Sequence, residues 1–391
     1  MHDRSLRVLF VGRQEYPVHF PDHQTDYRLF TDLTRYFSTI HIIVQAADYR
    51  GHVWSRGRIT VHYLPLRSNL VFFLQAIILS LRICRRERID LISGSDPVGG
   101  AVGAIVKRVN RVPLLVQLRG QVLNPSPTTS WEKRLMVPAV SRFASAHADL
   151  VRCVSEEVRQ RAIAAGIGAE KLRVERGRCD PQLFDPDRNA DARKGWRERL
   201  GWQDKRVVGF TGTLVPLKGV DYLLRAAAIL MRQHPDLRVL IVGEGPERRR
   251  LEALCDDLEL GECVHFAGRV PHDQVPGLLA ACDLFAFPSL TEGVPRAIME
   301  AMAMRLPVVA CAVGGIPELV EDGATGLLVP PRDPRRLAEA LEALLAGDLG
   351  SQGCREAARQ SVVRRHSWNE RVAGFAALHY LAAGRIAPTQ S

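Results

Sequence analysis

The eight cysteines of this chain form no Cys-x-x-Cys pair and no cluster with histidine. Structural zinc sites and the disulfide frameworks of small secreted domains both depend on such spacing, so the sequence predicts neither. Several of the cysteines stand in apolar segments, and we interpret them as reduced core residues of a cytosolic protein. They are Cys84, Cys153, Cys179, Cys255, Cys263, Cys282, Cys311 and Cys354.

Long apolar runs are also missing. No stretch reaches the length of about 18 residues that crosses a bilayer, and residues 1–7 show no apolar core of a signal peptide. Helix-turn-helix, zinc-finger and aromatic RNA-binding signatures are absent as well, so we expect no nucleic acid partner. With 46% hydrophobic and 25% charged residues, the composition is that of a soluble globular protein.

Acidic residues are scarce in the first half of the chain. Residues 1–187 hold 27 Lys and Arg against 18 Asp and Glu, an excess of +9 beside a net charge of +10 for the whole chain. Residues 188–354 carry 20 Lys and Arg against 23 Asp and Glu. A basic surface of this kind attracts anionic lipid headgroups or a phosphorylated acceptor. We therefore expect the first half to contact an anionic membrane surface.

Short apolar runs alternate with helix-period segments, which is typical of parallel sheets with crossover helices. We predict two doubly wound α/β domains, residues 1–185 and 186–365, because Pro181, Pro186 and several charges interrupt both patterns. Ligands of such sheets bind beyond the carboxyl ends of the strands, here in a cleft that both domains face. The predicted strands cover residues 6–11, 40–45, 89–93, 113–117, 150–154, 206–211, 237–242, 263–266, 284–288, 307–311 and 327–329.

One loop after a predicted strand, residues 212–219, begins and ends with glycine and leads into a helix predicted over residues 220–233. Glycine lets the backbone approach a phosphate, and Lys218 adds a positive charge close to a helix N-terminus. We interpret this loop as a phosphate-binding site rather than an ordinary surface loop. Gly243 and Gly245 resemble the start of a dinucleotide-binding fingerprint, but Arg248 stands at its third glycine position, so that pattern indicates little.

Two glutamates, Glu292 and Glu300, flank the predicted N-terminus of a further helix. Pro295 suits the first turn of a helix, so Glu292 and Gly293 precede the helix and Glu300 lies within it. A helix N-terminus attracts anions, and carboxylates accept hydrogen bonds from hydroxyl groups. The pattern fits a nucleotide sugar, whose diphosphate stands between two hydroxyl-rich groups. An amphipathic helix with a solvated glutamate is the simpler alternative.

Four motifs, residues 212–219, 268–270, 292–300 and 314–318, occur in the order found in retaining glycosyltransferases of family four. The chain resembles that family over nearly its whole length, with a thinner match before residue 145. The resemblance implies the GT-B fold, in which two Rossmann-like domains face a cleft and a C-terminal helix, here within residues 366–391, packs back on the N-terminal domain. It also implies transfer of a sugar from a nucleoside diphosphate sugar to an acceptor, with retention of the anomeric configuration and without a metal or other cofactor.

The resemblance assigns roles to individual residues. The counterpart of Lys218 neutralises the diphosphate, that of Glu300 accepts the ribose hydroxyls, and that of Glu292 lies beside the transferred sugar. The loop at residues 269–270 matches the one that contacts the base. The remaining donor-binding positions come from the phosphate loop, from the base-contacting loop and from the backbone N–H groups beside Glu292. They are Gly212, Thr213, Arg269, Val270, Gly293 and Val294.

Three positions depart from the family pattern. Thr213 stands where the family usually has arginine, Arg119 stands where it usually has histidine, and residues 15–26 contain no Gly-Gly pair. Loss of one cation at the diphosphate costs on the order of a few kcal/mol of transition-state stabilisation. We hypothesise that Arg119 replaces it and acts in catalysis beside Lys218 and Glu292. A structural ion pair is the alternative for Arg119.

Two further segments keep alternative interpretations. His19 and His23 lie in the first loop, where contact with the acceptor or the sugar and simple exposure to solvent both fit the sequence. Residues 70–84 predict a strongly apolar helix, which either packs on the first sheet or lies on a membrane surface. Its end is basic, with Arg82, Arg85, Arg86 and Arg88.

The leading hypothesis is a glycosyltransferase of cell-envelope polysaccharide biosynthesis. Its acceptor would be lipid-linked or a growing glycan, at the inner face of a membrane. A nucleotide-sugar 2-epimerase of related fold is a second hypothesis, and it would convert the donor without any acceptor. A catalytically silent subunit that binds nucleotide sugars is a third, because three positions depart from the family pattern.

Overall fold

The computed structural model describes residues 5–16, 20, 24–46, 52–65, 68–120, 131–347 and 352–388. Contacts divide the chain into two units, of which the first contains the residues up to Arg176 and those from Asn369 onward, and the second is Gly177–Trp368. Each unit is built on a mainly parallel β-sheet with helical connections. The α/β class with two Rossmann-like domains, predicted from the sequence, is confirmed.

Strands and helices alternate along the first unit. Its sheet has eight strands, all parallel except for one antiparallel pair. In chain order the elements are β1 (Leu6–Glu15), α1 (Gln24–Leu33), β2 (Phe37–Ala46), β3 (Val53–Arg56), β4 (Ile59–Pro65), α2 (Asn69–Glu87), β5 (Leu91–Gly94), α3 (Pro97–Asn110), β6 (Leu114–Leu118), α4 (Trp131–His147), β7 (Leu150–Cys153), α5 (Glu156–Ala164) and β8 (Leu172–Val174). The order across the sheet is β3-β4-β2-β1-β5-β6-β7-β8.

Three of these strands were not predicted from the sequence. The antiparallel pair β3 and β4 forms a hairpin, and β3 is largely exposed, so it carries no apolar run that would indicate a strand. The third, β8, has only three residues and lies at the edge of the sheet. Short or exposed edge strands give a weak hydrophobic signal, which explains why β3 and β8 were missed. By contrast, β4 has seven residues, lies inside the sheet and largely alternates buried with partly buried residues, so its signal was present in the sequence and was overlooked.

The second unit repeats the alternation with six strands, all parallel. Its elements are α6 (Ala190–Leu200), β9 (Arg206–Thr211), α7 (Val220–Met231), β10 (Leu237–Val242), α8 (Arg248–Asp257), β11 (Val264–Gly268), α9 (Val275–Ala280), β12 (Leu284–Phe287), α10 (Arg296–Ala303), β13 (Val308–Cys311), β14 (Leu327–Val329), α11 (Pro334–Ala346) and α12 (Gln352–His366). The order across the sheet is β11-β10-β9-β12-β13-β14. The chain therefore winds to one side of β9 and then returns to the other side through β12.

The boundaries between the units differ from those predicted at residues 185/186 and 365/366. The first lies between Arg176 and Gly177, because Cys179 and Phe184 are buried in the core of the second unit. The backbone N–H of Cys179 also donates to the carbonyl of His366 over 2.8 Å. Charges and prolines in this segment suggested a linker, but its apolar side chains belong to the second core.

The last helix, α13 (Trp368–Ala382), packs on the first unit from residue 369 onward. The Tyr380 hydroxyl donates to the carbonyl of Tyr36 over 2.6 Å, and His379 Nε2 lies 3.2 Å from Ser93 Oγ. Both side chains are buried. The fold class predicted from the sequence, with a C-terminal helix on the N-terminal domain, is confirmed.

The apolar helix predicted at residues 70–84 is α2. One face is buried in the core of the first unit through Phe72, Ala76, Ile83 and Cys84, as expected for a helix packed on the sheet. Another face of the same helix exposes leucine and isoleucine side chains. Among the helices that the structure describes, none is long and apolar enough to cross a bilayer.

Candidate functional site

The second sheet contains the point at which ligands of doubly wound sheets bind. Its strand order reverses between β9 and β12, and the crevice outside the carboxyl ends of two such strands is the usual ligand site. A cavity of about 370 Å³ opens there. It is lined by Thr211, Gly212, Thr213, Lys218, Val242, Gly243, Glu244, Arg269, Val270, His272, Val275, Phe287, Pro295, Arg296, Ala297 and Glu300.

Most of the residues predicted from the sequence meet in this cavity. Gly212, Thr213, Lys218, Arg269, Val270 and Glu300 all line it. The other three predicted donor-binding residues, Glu292, Gly293 and Val294, are not among the lining residues, although Glu292 contacts one of them. The cavity therefore joins the phosphate loop, the loop after β11 and the N-terminal part of α10.

Glycine brings two of the lining loops close together. A Cβ atom added to Gly243 would lie 1.8 Å from the carbonyl oxygen of Gly212, which no side chain tolerates. Gly243 also has a φ of +147°, which glycine adopts readily. The Gly243 and Gly245 pattern that resembles a dinucleotide fingerprint thus has a packing role, because it lets the loop after β10 lie against the loop after β9.

Lys218 and Glu292 form an ion pair. Lys218 ends a short 3-10 turn after β9, and its Nζ also lies 5.1 Å from the centre of the Phe287 ring. Glu292 additionally accepts a hydrogen bond from Ser289 Oγ over 2.8 Å. Two residues that the resemblance assigns to the donor thus hold each other through their side chains.

A glycine in the fourth motif fixes the loop that carries Glu292. Gly314 has a φ of +57°, and an added Cβ would lie 2.0 Å from the carbonyl oxygen of Glu292. Its neighbour Gly315 donates its backbone N–H to the carbonyl of Gly293 over 2.8 Å. The Gly-Gly pair after β13 thus packs against the backbone of the Glu292 loop and holds it in place. This contact explains why the motif at residues 292–300 and the motif at residues 314–318 occur together.

Glu300 is buried on α10 and is bound by a residue that the sequence analysis did not select. His272 Nε2 lies 2.9 Å from Glu300 Oε1, and the ring of Phe184 packs against the imidazole at 5.4 Å. In the tautomer with a proton on Nε2, His272 donates to the carboxylate. Its place two residues after the predicted base-contacting loop was the one signal that could have indicated it.

The N-terminus of α10 supplies further polar groups. The sequence analysis placed Pro295 in the first turn of this helix. The helix instead begins at Arg296, and Pro295 is the residue just before it. The backbone ψ of Pro295 is 123°, in the extended region, which explains the later start. Pro295, Arg296 and Ala297 all line the cavity, and the unpaired N–H groups of a first turn attract anions.

Arg296 is the second residue that sequence reasoning missed. Among the residues that the structure describes, no carboxylate lies within ion-pair distance of Arg296 or Arg269, whereas Lys218 is paired with Glu292. Thr213, at the position where the family usually has arginine, contributes no charge to the lining. Arg296 is a cation at the helix mouth, and it adds positive charge that Thr213 does not supply.

Arg119 belongs to the first unit and is not among the residues that line this cavity. It follows β6, is exposed, and donates from Nη2 to Gln117 Oε1 over 2.9 Å. Burial raises the pKa of the nearby Asp96 carboxyl group, and the positive charge of Arg119 acts in the opposite direction with a smaller effect. The catalytic role of Arg119 stays a prediction. His19 and His23 lie outside the described residues.

Two family models match the chain. One, described as glycosyl transferases group 1, matches residues 192–361, and the other, described as glycosyl transferase 4-like domain, matches residues 25–175. The first match contains every residue that lines the cavity. The two matches correspond closely to the two structural units.

Curated relatives agree with these models. The D-inositol 3-phosphate glycosyltransferase of Acidothermus cellulolyticus is 35% identical over 323 residues, 77% of this chain and 69% of that protein. The GDP-mannose-dependent alpha-(1-6)-phosphatidylinositol monomannoside mannosyltransferase of Mycolicibacterium smegmatis is 38% identical over 250 residues, 61% of this chain and 63% of that protein. The chain thus spans less than two thirds of the mannosyltransferase that it matches.

A solved structure shows the same fold. HepE from Anabaena, in complex with UDP-glucose, superposes with a TM-score of 0.76 at 24% identity, over 95% of this chain and 99% of that protein. Two Rossmann-like units, with the C-terminal helix on the first, make this a protein of the GT-B class. The chain belongs to the glycosyl transferases group 1 family, and the family resemblance found in the sequence is confirmed.

Proposed function

We propose that this protein transfers a sugar from a nucleoside diphosphate sugar to a lipid-linked or polysaccharide acceptor. The observation that carries the proposal is the cavity at the β9 and β12 strand ends, where Lys218, Arg296, the N-terminus of α10 and the buried Glu300 meet. Cations and N–H groups suit a diphosphate, and a buried carboxylate suits the hydroxyls of a ribose. A diphosphate and a ribose are the two parts that UDP-, GDP- and ADP-sugars share.

Donor binding requires a rearrangement of the Lys218 and Glu292 pair. In the proposed complex the Lys218 ammonium turns to a diphosphate oxygen, and the Glu292 carboxylate is released to accept hydroxyls of the transferred sugar. The exchange replaces one charge-assisted contact by two, so neither side chain is left unpaired. Ser289, which donates to Glu292, keeps that carboxylate oriented during the exchange.

The reaction needs stabilisation of the charge that develops on the leaving diphosphate. As the bond between the sugar carbon and the phosphate oxygen breaks, Lys218, Arg296 and the α10 dipole act where the negative charge grows. We propose that these groups serve without a metal ion. The acceptor hydroxyl forms the new bond on the same face of the sugar and passes its proton to the leaving phosphate oxygen, which retains the anomeric configuration.

The place of action follows from the proposed acceptor. A lipid-linked acceptor is confined to a membrane, and the excess of +9 in residues 1–187 favours an anionic membrane surface. We propose that the protein is cytoplasmic and acts at the inner face of that membrane, in polysaccharide biosynthesis for the cell envelope. The names of two relatives, a phosphatidylinositol mannoside mannosyltransferase and an inositol phosphate glycosyltransferase, support an acceptor that carries phosphate.

The test is a donor screen with the purified protein. HepE was solved with UDP-glucose and a relative is named for GDP-mannose, so UDP-, GDP- and ADP-sugars are incubated and the released nucleoside diphosphate is measured. We expect slow release from one donor, faster release when an acceptor is added, and loss of both with Glu300→Gln, while Arg225→Gln on the exposed face of α7 behaves as wild type. Conversion of the donor to its epimer without release would instead establish an epimerase. Binding of a donor without any conversion would establish a silent subunit.

A further inference from the structure

Helices α2, α3 and α4 of the first unit enclose an apolar groove that is open to solvent. Its volume is about 650 Å³, and its exposed lining is almost entirely apolar. Side chains from all three helices contribute, among them Leu70, Phe73, Ala101, Ile105, Met136 and Phe143. The catalytic proposal makes no use of this groove, which lies in the first unit.

Large apolar side chains also project beside the groove. On α2, Leu70, Leu74 and Ile78 stand one turn apart with exposed fractions of 66%, 52% and 51%. On α4, Leu135 and Met136 are 66% and 63% exposed. Contiguous apolar surface of this kind is uncommon on a monomer unless it binds a partner or a membrane.

The charged residues of the same helices have almost a single sign. The segments 69–87, 97–110 and 131–147 together contain eight Lys and Arg and only two Glu. At the far end of α3 and α4 lies a second cavity, of about 410 Å³, lined by Lys107, Arg108, Arg111 and His147. Lys107 is paired with Asp149 over 2.7 Å, but no described carboxylate pairs with Arg108 or Arg111.

The apolar groove and the basic cavity follow one another along the same helix faces. On α3, Ala101 and Ile105 line the groove, and Arg108, the next turn, lines the basic cavity. On α4, Phe143 lines the groove, and His147, one turn later, lines the basic cavity with its ring 4.6 Å from that of Phe143. Residues three or four apart share a helix face, so the two surfaces are continuous over roughly 10 Å.

We propose that this surface, the α2–α4 docking face, seats the protein on a bilayer that contains anionic lipids. The groove and its exposed leucines enter the acyl region, and the arginines at its basic end contact lipid phosphates. An apolar centre with a rim of one charge matches a lipid headgroup layer, whereas a protein partner would need its own acidic rim to fit. The proposal does not depend on sugar transfer, so its test is separate from the donor screen.

Vesicle flotation tests the proposal. We expect the full chain to float with phosphatidylcholine vesicles that contain phosphatidylglycerol, but not with phosphatidylcholine alone, and to be released by high salt. Leu74→Ser with Leu135→Ser should weaken partitioning by about tenfold for each leucine, because each removes roughly 1.5 kcal/mol of apolar burial. Arg108→Gln with Arg111→Gln, both in the lining of the basic cavity, should weaken it about fivefold for each charge.

Matched controls come from α7 in the second unit and from the residue that follows this helix. Ile229 is an exposed apolar residue and Arg232 an exposed cation, so Ile229→Ser and Arg232→Gln should leave flotation unchanged. Circular dichroism and release of nucleoside diphosphate from the donor report that each variant remains folded. Absence of flotation with anionic vesicles, or flotation that the four docking-face substitutions leave intact, would overturn the proposal. So would light scattering that shows a dimer which Leu74→Ser with Leu135→Ser dissociates, since the face would then bind a second copy.

Discussion

The charge of the cavity depends on a few side chains whose partners lie far away in the sequence. Glu300 is bound by His272 at a separation of 28 residues, and Lys218 is bound by Glu292 at a separation of 74. In both pairs a predicted residue is oriented by another residue that shares no local motif with it. Substitution of His272 should therefore alter binding without removing Glu300, the group that we propose contacts the donor.

His272→Phe is predicted to weaken donor binding. Without the hydrogen bond from Nε2, the Glu300 carboxylate loses the contact that orients it toward the ribose, and a hydrogen bond to a charged group is worth about 1.5 to 3 kcal/mol. We expect the KM for the donor to rise at least about tenfold with little change in kcat, and His272→Gln to restore part of the loss. His265→Gln, on the neighbouring strand and away from the cavity lining, is the control. An unchanged KM in His272→Phe would show that Glu300 needs no such support.

Arg296→Gln is predicted to slow the chemical step. The guanidinium stands at the mouth of α10 where charge would develop on the leaving diphosphate, and loss of one such group costs about 3 kcal/mol, or roughly a hundredfold in kcat. Arg296→Lys should retain much of the activity because it keeps the charge. The comparison variant is Arg119→Ala, the position that the sequence analysis favoured as the replacement cation. Equal turnover of wild type and Arg296→Gln would mean that another residue supplies the positive charge that Thr213 lacks.

The elements around the cavity are held by a small, partly buried network of hydrogen bonds. Asp283, just before β12, accepts hydrogen bonds from Arg193 and Arg197 of α6, both at 2.6 Å. It also accepts one from the backbone N–H of Val207 in β9 over 2.9 Å. One carboxylate thus joins a helix to the two strands whose carboxyl ends form the site.

Asp283→Ala is predicted to destabilise the second unit by about 2 to 3 kcal/mol, because Arg197 and the backbone N–H of Val207 would both lose their hydrogen bond to this carboxylate. Urea unfolding measures the change. Asp236→Ala is the matched control, because the Asp236 pair with Arg206 is about one third exposed and should contribute no more than about 1 kcal/mol. Similar losses in both variants would contradict the role assigned to the contacts of Asp283 with α6 and β9.

The stability of the whole molecule should depend on pH through two histidines, of which His379 is buried and His62 partly buried. Burial lowers the pKa of His379 to about 4 and that of His62 to about 4, from an ordinary value of 6.5. His62 also lies 3.1 Å from His41, another imidazole that cannot share a positive charge with it. The unfolded chain therefore binds more protons than the folded chain between these values.

We expect the free energy of unfolding to fall as the pH drops from about 6.5 toward about 4, with a contribution on the order of 3 kcal/mol for each histidine. Below about pH 4 this contribution is fully lost. Urea unfolding at neutral pH and at about pH 5 measures the slope, and His379→Gln should reduce it. A slope that is the same in wild type and His379→Gln would mean that the carboxylates alone govern the acid sensitivity.

The sequence by itself determined the alternation of strands and helices, the order of the four motifs and most of the residues that meet in the cavity. Strands β9 and β10 were predicted to the residue, because buried parallel strands form continuous apolar runs between turn residues. The three-residue edge strand β14 was also predicted to the residue, because all three of its residues are apolar, unlike those of β8. Lys218 and Glu300 were identified for a related reason, since each lies at a fixed distance from a strand end or a helix start. Such local signals are readable without the fold.

Only the tertiary structure decided which distant residues meet. The His272 contact with Glu300, the place of Arg296 in the cavity lining and the inclusion of Cys179 and Phe184 in the second core all depend on strand order and packing. The docking face is a further case, because α2, α3 and α4 each follow a different strand and meet only when the sheet aligns them. Hydrophobic periodicity shows that a helix face is apolar, but the neighbours that cover it or leave it open are set by the rest of the chain.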